Sequence, residues 1–180
     1  MPLSGPDWVS QFPTSKSADD LAEPFRSRAK KFLAALQAAG AKIEIGDTLR
    51  SPERAYLMHY AFRIARKGMD PATVPAMAGV DIEWTHPESA ESVDAAEAML
   101  ASYEIVHEPA LDTRHTEGLA IDMTIAWLGE LRIARADGSI TTVASLPRDG
   151  GGNLDLRSVG ASYGVFKLAS DPPHWSSDGH

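Results

Sequence analysis

Apolar residues recur at helical spacing in three segments of the first half of the chain. The first helix is predicted to begin after Ser17, beside two aspartates that suit the positive end of a helix, and to stop at Gly40. A second helix is predicted from Pro52, a residue favoured in a first helical turn, to Gly68. The alanine-rich stretch 89–100 predicts a third helix.

Alternation of apolar and polar residues predicts strands elsewhere. Residues 42–49 alternate ahead of the second helix, and residues 119–127 alternate in the second half of the chain. Residues 128–143 predict a hairpin that turns at 136–139, and residues 163–168 predict a last strand. Helices first and strands afterwards predict an α+β fold, in which the N-terminal helices pack on a small antiparallel sheet.

Three segments show neither the spacing of a helix nor the alternation of a strand. Residues 1–16, rich in proline, serine and glycine, predict an irregular N-terminal arm whose aromatic residues Trp8 and Phe12 dock on the body of the protein. Residues 70–87 contain three prolines and predict a long surface loop. Residues 146–153 contain three consecutive glycines and predict a mobile loop.

The composition is ordinary for a globular protein, with 43% hydrophobic and 23% charged residues. A length of 180 residues suffices for one domain, which we place at residues 17–180. No segment approaches the roughly 18 consecutive apolar residues of a membrane helix, and the first residues lack the basic start of a secretory signal. We therefore expect a protein made in the cytoplasm without a signal peptide and not inserted in a membrane.

Charge and cysteine content narrow the chemistry. The net charge of -8 argues against nucleic acid as a partner, because phosphate binding needs concentrated lysine and arginine. The chain has no cysteine. This excludes disulfides, thiolate zinc sites and cysteine nucleophiles, so that a metal would have to use histidine, aspartate, glutamate or water.

A histidine precedes the predicted strand 119–127, and an aspartate lies on it. Asp122 alternates with the large apolar residues of this strand and so points to its small-residue face. His115 comes before Gly118, which can adopt a backbone turn closed to other residues. The two side chains can therefore converge on one point. An isolated pair of this kind is more often structural than metal-binding.

A second segment places a carboxylate three residues before a histidine, in Asp171-Pro172-Pro173-His174. The two prolines stiffen the link between them. His115, Asp122 and His174 would supply the three protein ligands that catalytic zinc commonly has, with Asp171 as the proton acceptor. The alternative is a rigid turn followed by a tryptophan that packs in the core.

Taken together, the two segments resemble the family of zinc D-Ala-D-Ala carboxypeptidases and L-alanyl-D-glutamate endopeptidases. This family includes several phage endolysins and shares its fold with the hedgehog signalling domain. The resemblance spans about residues 42–175. Motif positions are occupied by Thr113, His115, Gly118, Ala120, Asp122 and His174.

The resemblance implies a bound Zn2+ and a set of functional residues. His115, Asp122 and His174 would hold the metal, and Asp171 would act as the catalytic acid and base. Arg50, which lies between a predicted strand and a helix, would bind the substrate and stabilise the oxyanion. The remaining expected substrate contacts are Thr113, Arg114 and Trp175.

Three positions depart from the family pattern. Ala55 stands where the family usually has a glutamine, which puts one substrate contact in doubt. Pro173 stands where a tryptophan often precedes the last histidine. Asp171 stands where the carboxypeptidases have glutamate, and an aspartate is more similar to the phage endopeptidases.

The function implied by the resemblance is hydrolysis of peptide bonds in the stem or cross-link peptides of bacterial peptidoglycan. The enzyme would then act in the periplasm or cell wall, after release by a phage or delivery by a secretion machine. A secreted effector would have an immunity or delivery protein as its partner. The alternatives are an inactive binding module that keeps the zinc scaffold, and a dipeptidase that acts on free peptides. The sequence leaves open which bond is cut.

Overall fold

The computed structural model describes all 180 residues and has the predicted α+β architecture, with four helices and antiparallel strands. None of the helices combines the length and the apolar character needed to cross a membrane. The helices are α1 (Phe25–Ala38), α2 (Pro52–Lys67), α3 (Ser89–Tyr103) and α4 (Leu154–Ser162). The strands are β1 (Lys42–Asp47), β2 (Ala120–Ala126), β3 (Leu131–Ala134), β4 (Ile140–Val143), β5 (Phe166–Lys167) and β6 (His174–Ser176).

The chain forms two compact units, each with a hydrophobic core of its own. The first unit contains residues 1–14 and 50–113, and the second contains residues 15–49 and 114–180. The expected division into an arm over 1–16 and one domain over 17–180 stays a prediction.

The first unit is built from α2, α3 and the start of the N-terminal arm. Helix α2 has the predicted bounds, with Gly68 in the left-handed conformation (φ 67°) at its end. Trp8 is buried and Phe12 partly buried in the core of this unit, which confirms that the aromatic residues of the arm dock. The guanidinium of Arg54 holds the backbone of the arm by donating to the carbonyls of Val9 and Phe12 at 3.1 and 3.0 Å.

Two buried tyrosines of this core differ in their hydrogen bonding. The hydroxyl of Tyr103 has no hydrogen-bond partner, whereas that of Tyr56 donates to Pro75 O and accepts from Trp84 Nε1. We therefore expect Tyr103→Phe to leave the free energy of unfolding unchanged or higher. Tyr56→Phe should lower it by about 1–3 kcal/mol, because it leaves the buried Nε1–H of Trp84 without an acceptor and also removes the bond to Pro75 O. Urea unfolding at neutral pH measures both, and equal losses would contradict the assignment.

The burial of Tyr103 also leads us to expect a loss of stability at alkaline pH. Burial raises the pKa of Tyr103 to about 12, against a smaller opposite effect of Arg54. A tyrosine in the unfolded chain ionises near pH 10. The native state thus keeps a proton that the unfolded state releases, and stability falls as the pH rises from 10 to 12. Tyr103→Phe should remove about 2–3 kcal/mol of this fall, measured by urea unfolding across that range.

The second unit contains the sheet in the order β1-β2-β6-β5, and β3 and β4 form the predicted hairpin. The core of this unit joins the helices α1 and α4 to one face of β2, through Ile121, Met123 and Ile125. Asp122 lies on the opposite face of β2 and is only half-buried, as the alternation predicted. The sheet therefore separates a dry core from a polar face.

Helix α1 begins at Phe25, later than predicted. Ser17 caps a single 3₁₀ turn over Ala18–Asp20 instead, by accepting from the amide of Asp19. Pro24 then stands at the start of α1. Since a proline disfavours helical backbone at the residue before it, the helix cannot extend back across Glu23.

Two elements near the C-terminus were not predicted from the sequence. Helix α4 is capped by Asn153, whose side chain accepts from the amide of Leu156 at 2.8 Å. The short strand β6 carries His174 in the proline-rich end, and the predicted last strand shrinks to the two residues of β5.

The glycines before α4 are packed closely against their neighbours. A side chain at Gly150 would place its Cβ 2.9 Å from that of Ile125, and one at Gly152 would lie 2.6 Å from Pro147. The amide of Gly150 also donates to Ile125 O at 2.8 Å. Close approach therefore explains these glycines, and the mobility of this loop stays a prediction.

Candidate metal centre

Three side chains of the second unit meet at one point. His115 Nε2 lies 3.2 Å from Asp122 Oδ1, His174 Nδ1 lies 3.1 Å from the same oxygen, and the two nitrogens are 3.2 Å apart. Both histidines are buried and Asp122 is half-buried. This group could hold a metal ion.

The register of the sheet brings two of the three residues together. Asp122 on β2 is the cross-strand partner of His174 on β6. Directly opposed residues of neighbouring strands have side chains on the same face, so both point to the polar side of the sheet.

A tight turn brings the third residue into place. The amide of Gly118 donates to His115 O at 3.2 Å, and Gly118 has a φ of 69°, the left-handed conformation that the sequence suggested. A side chain at Gly118 would also approach the amide nitrogen of Ala22 to 3.0 Å. Only glycine fits this turn without strain, so the turn sets where His115 enters the site.

Backbone oxygens decide which nitrogen of each histidine faces inward. His115 Nδ1 is 2.7 Å from the carbonyl oxygen of Thr48, and His174 Nε2 is 3.1 Å from the backbone oxygen of His180. A carbonyl oxygen only accepts, so each of these nitrogens carries the hydrogen. The inward nitrogens, His115 Nε2 and His174 Nδ1, are therefore left with lone pairs.

Three hydrogen-bond acceptors thus converge on one point: two imidazole nitrogens and a carboxylate oxygen. Acceptors cannot hydrogen-bond to one another, so the arrangement requires a cation among them, either a metal ion or an added proton. The outward nitrogens are held as they are in metal-binding histidines, which donate their other N–H to a carbonyl or carboxylate. The donor set therefore fits a metal ion.

The electrostatics of the group lead to the same requirement. Burial raises the pKa of Asp122, but hydrogen bonds and charge from His115 and His174 outweigh it and hold the pKa well below its usual range. Burial lowers the pKa of His115, but the hydrogen bond and charge of Asp122, with smaller effects of Thr48 and Asp47, give a net rise. The half-buried Asp122 carboxylate thus stays ionised and favours a positive charge beside it.

Asp171, the predicted proton acceptor, has an exposed side chain and is not one of the three converging residues. Its carbonyl accepts from the amide of His174 at 3.1 Å and from Lys167 Nζ. The same ammonium also donates to Leu168 O and, at 3.1 Å, to His174 O. The turn between Asp171 and His174 is therefore fastened through its backbone, and the role of the Asp171 carboxylate stays a prediction.

Trp175 has no exposed surface. Its ring packs in the core of the second unit, with its centroid 5.5 Å from that of Phe32. A side chain buried in this way cannot touch a substrate, so the predicted substrate contact is replaced by the packing role that was its alternative.

The other predicted substrate residues lie in different places. Arg114 belongs to the second unit, where it binds Glu117 at 2.6 Å and Asp178 at 2.5 Å. Arg50 and Thr113 belong to the first unit, with Arg50 next to Ser51, the cap of α2. Their expected contacts with a substrate stay predictions.

The sequence did not reveal the groups that orient the ligands. Two of them, the oxygens of Thr48 and His180, are main-chain atoms, which leave no trace in residue type. Asp178, four residues after His174, could have been noticed as a carboxylate close to a predicted ligand.

Comparison with known proteins adds no family assignment: no family model matches this chain, and no curated protein is significantly similar to it.

Proposed function

We propose that this protein is a zinc-dependent peptidase that hydrolyses peptide bonds in the stem or cross-link peptides of bacterial peptidoglycan. The observation that supports a bound metal is the convergence of two imidazole nitrogens and one carboxylate oxygen, which lie within 3.2 Å of one another. The substrate class rests on the resemblance of the motif residues to wall peptidases. We further propose that it acts in the periplasm or wall after phage release or secretion.

The ligand set supports zinc among the metals. Two nitrogens and one oxygen are donors that zinc accepts readily, and the chain has no thiolate to offer. Three protein ligands match catalytic zinc sites, whereas structural sites usually have four. A fourth coordination position would then remain for water or substrate.

The proposed chemistry divides the work among a few residues. A bound zinc ion would supply a Lewis acid that makes water easier to deprotonate at neutral pH. The carboxylate of Asp171 takes a proton from the attacking water and passes it to the leaving amine. Arg50 donates hydrogen bonds to the carbonyl oxygen as negative charge develops on it. Its guanidinium stays charged throughout, so it needs no proton transfer.

Digestion of purified peptidoglycan tests the proposal. The protein is stripped of metal, reloaded with zinc and incubated with peptidoglycan, and the released fragments are identified by mass spectrometry. We expect fragments cleaved within the stem or cross-link peptides, with no release by the stripped protein. The masses of the fragments also identify which peptide bond is cleaved.

Two other outcomes would contradict the proposal. A protein that binds zinc but leaves both peptidoglycan and free peptides intact would be an inactive binding module. A protein that hydrolyses free dipeptides but not peptidoglycan would be a dipeptidase.

A further inference from the structure

The outward nitrogen of the candidate ligand His174 depends on a short C-terminal segment. His174 Nε2 donates to the backbone oxygen of His180 at 3.1 Å, and this is its only partner outside the converging group. Residues 177–180 therefore decide whether that nitrogen has an acceptor. We call them the tail.

The tail is folded into a tight turn around two side chains. Ser176 Oγ accepts from the amide of Gly179 at 2.8 Å and donates to Asp178 Oδ1 at 3.3 Å. The same carboxylate oxygen accepts from the amide of His180 at 3.2 Å. Asp178 thus fixes the peptide unit that leads into His180.

Arg114 fastens this turn to the body of the second unit. Its Nε and Nη2 donate to Asp178 Oδ2 at 3.1 and 2.5 Å, and Nε also lies 3.3 Å from Oδ1. Such a forked pair fixes direction as well as distance. The ion pair lowers the pKa of Asp178 and raises that of Arg114. Arg114 directly precedes His115, so the arginine that binds the tail is also next in sequence to the other histidine of the site.

We propose that Arg114 and Asp178 are positioning residues for the metal centre, because they hold the His180 oxygen where it selects the tautomer of His174. With Nε2 protonated, Nδ1 keeps the lone pair that faces Asp122. Without that acceptor the imidazole can carry its hydrogen on Nδ1, where it blocks ligation. Arg114 thereby acts on the metal through His174, and its expected contact with a substrate stays a separate prediction.

This inference rests on the metal part of the proposed function but not on its substrate. Outer partners of metal-bound histidines typically change metal affinity by about 10–100-fold when removed. We expect a loss in this range for Asp178→Ala and for Arg114→Gln. Because both act through one contact, the double variant should lose no more than either single variant.

The experiment measures zinc affinity by competition with a chromophoric chelator, together with the ¹⁵N shifts of the His174 imidazole in the metal-free protein. Wild type should show Nε2 protonated, and Asp178→Ala should show a mixture of tautomers. Glu117→Gln removes the negative charge of the other partner of Arg114 and should change neither quantity. His180→Ala keeps the backbone oxygen and should also change neither.

Unchanged affinity and an unchanged His174 tautomer in folded Asp178→Ala would overturn the inference. So would a loss in His180→Ala as large as that in Asp178→Ala, because the imidazole would then matter more than the oxygen. If Asp178→Ala does not fold, Asp178→Asn, which keeps the side-chain oxygen but not its charge, gives the same two readouts. Neither readout uses peptidase activity, so an inactive wild type would leave this test intact.

Discussion

Replacing His115 by alanine should abolish tight zinc binding and, with it, all cleavage. His115 contributes one of the three converging atoms, and its Nε2 faces inward because Thr48 O fixes the opposite nitrogen. Loss of an outer partner alone costs about 10–100-fold in affinity, so loss of a ligand itself should cost more than about a hundredfold. Competition with a chelator measures the affinity, and peptidoglycan digestion measures the activity.

Thermal unfolding gives a second readout of the same change. Zinc at 100 times its dissociation constant should stabilise the wild type by about 2.7 kcal/mol, and it should not stabilise His115→Ala. His107→Ala is the matched control, because His107 is exposed and lies outside the group. Normal zinc binding by folded His115→Ala would show that the metal is held elsewhere.

Replacing Asp171 by asparagine should separate binding from catalysis. The substitution removes the proposed proton acceptor but keeps the backbone carbonyl that accepts from His174 N and Lys167 Nζ. We therefore expect wild-type zinc affinity and a loss of cleavage by about 10²–10⁴-fold, the usual contribution of a general acid and base. Digestion rates at saturating zinc measure the loss.

The neighbouring residue provides the control for this variant. Ser170 is exposed in the same turn, and Ser170→Ala should cleave as wild type does. Undiminished cleavage by Asp171→Asn would remove Asp171 from the mechanism. A matching loss of zinc affinity would instead make it part of the metal centre.

Local patterns in the sequence accounted for much of the fold. The span from Pro52 to Gly68 was predicted because proline and glycine mark opposite ends of a helix. The alternation around Asp122 was predicted because a strand has a period of two. The turn at Gly118 was predicted because glycine alone takes a positive φ freely.

Features set by distant contacts were harder to predict. Helix α4 has only nine residues and no strong apolar period, so its stability depends on packing in the core. Strand β6 has three residues and exists because it pairs with β2. Trp175 could be read either as a substrate contact or as a core residue, and only its position on β6 shows it to be buried.

In the candidate site, too, some features could be predicted from local sequence and others only from the folded structure. The three converging side chains were predicted by residue type and spacing, together with the family resemblance. The oxygens of Thr48 and His180, which orient the two histidines, belong to the main chain. Their positions are known only from the folded structure. The Arg114–Asp178 pair joins residues 64 positions apart and carries no local pattern either.

X-ray diffraction at the zinc absorption edge, from crystals grown with equimolar zinc, tests the metal centre most directly. We expect one strong anomalous peak in contact with His115 Nε2, Asp122 Oδ1 and His174 Nδ1. Crystals that contain zinc but show no peak at these three atoms, or show it only at an exposed histidine such as His107, would show that these residues do not form a zinc centre.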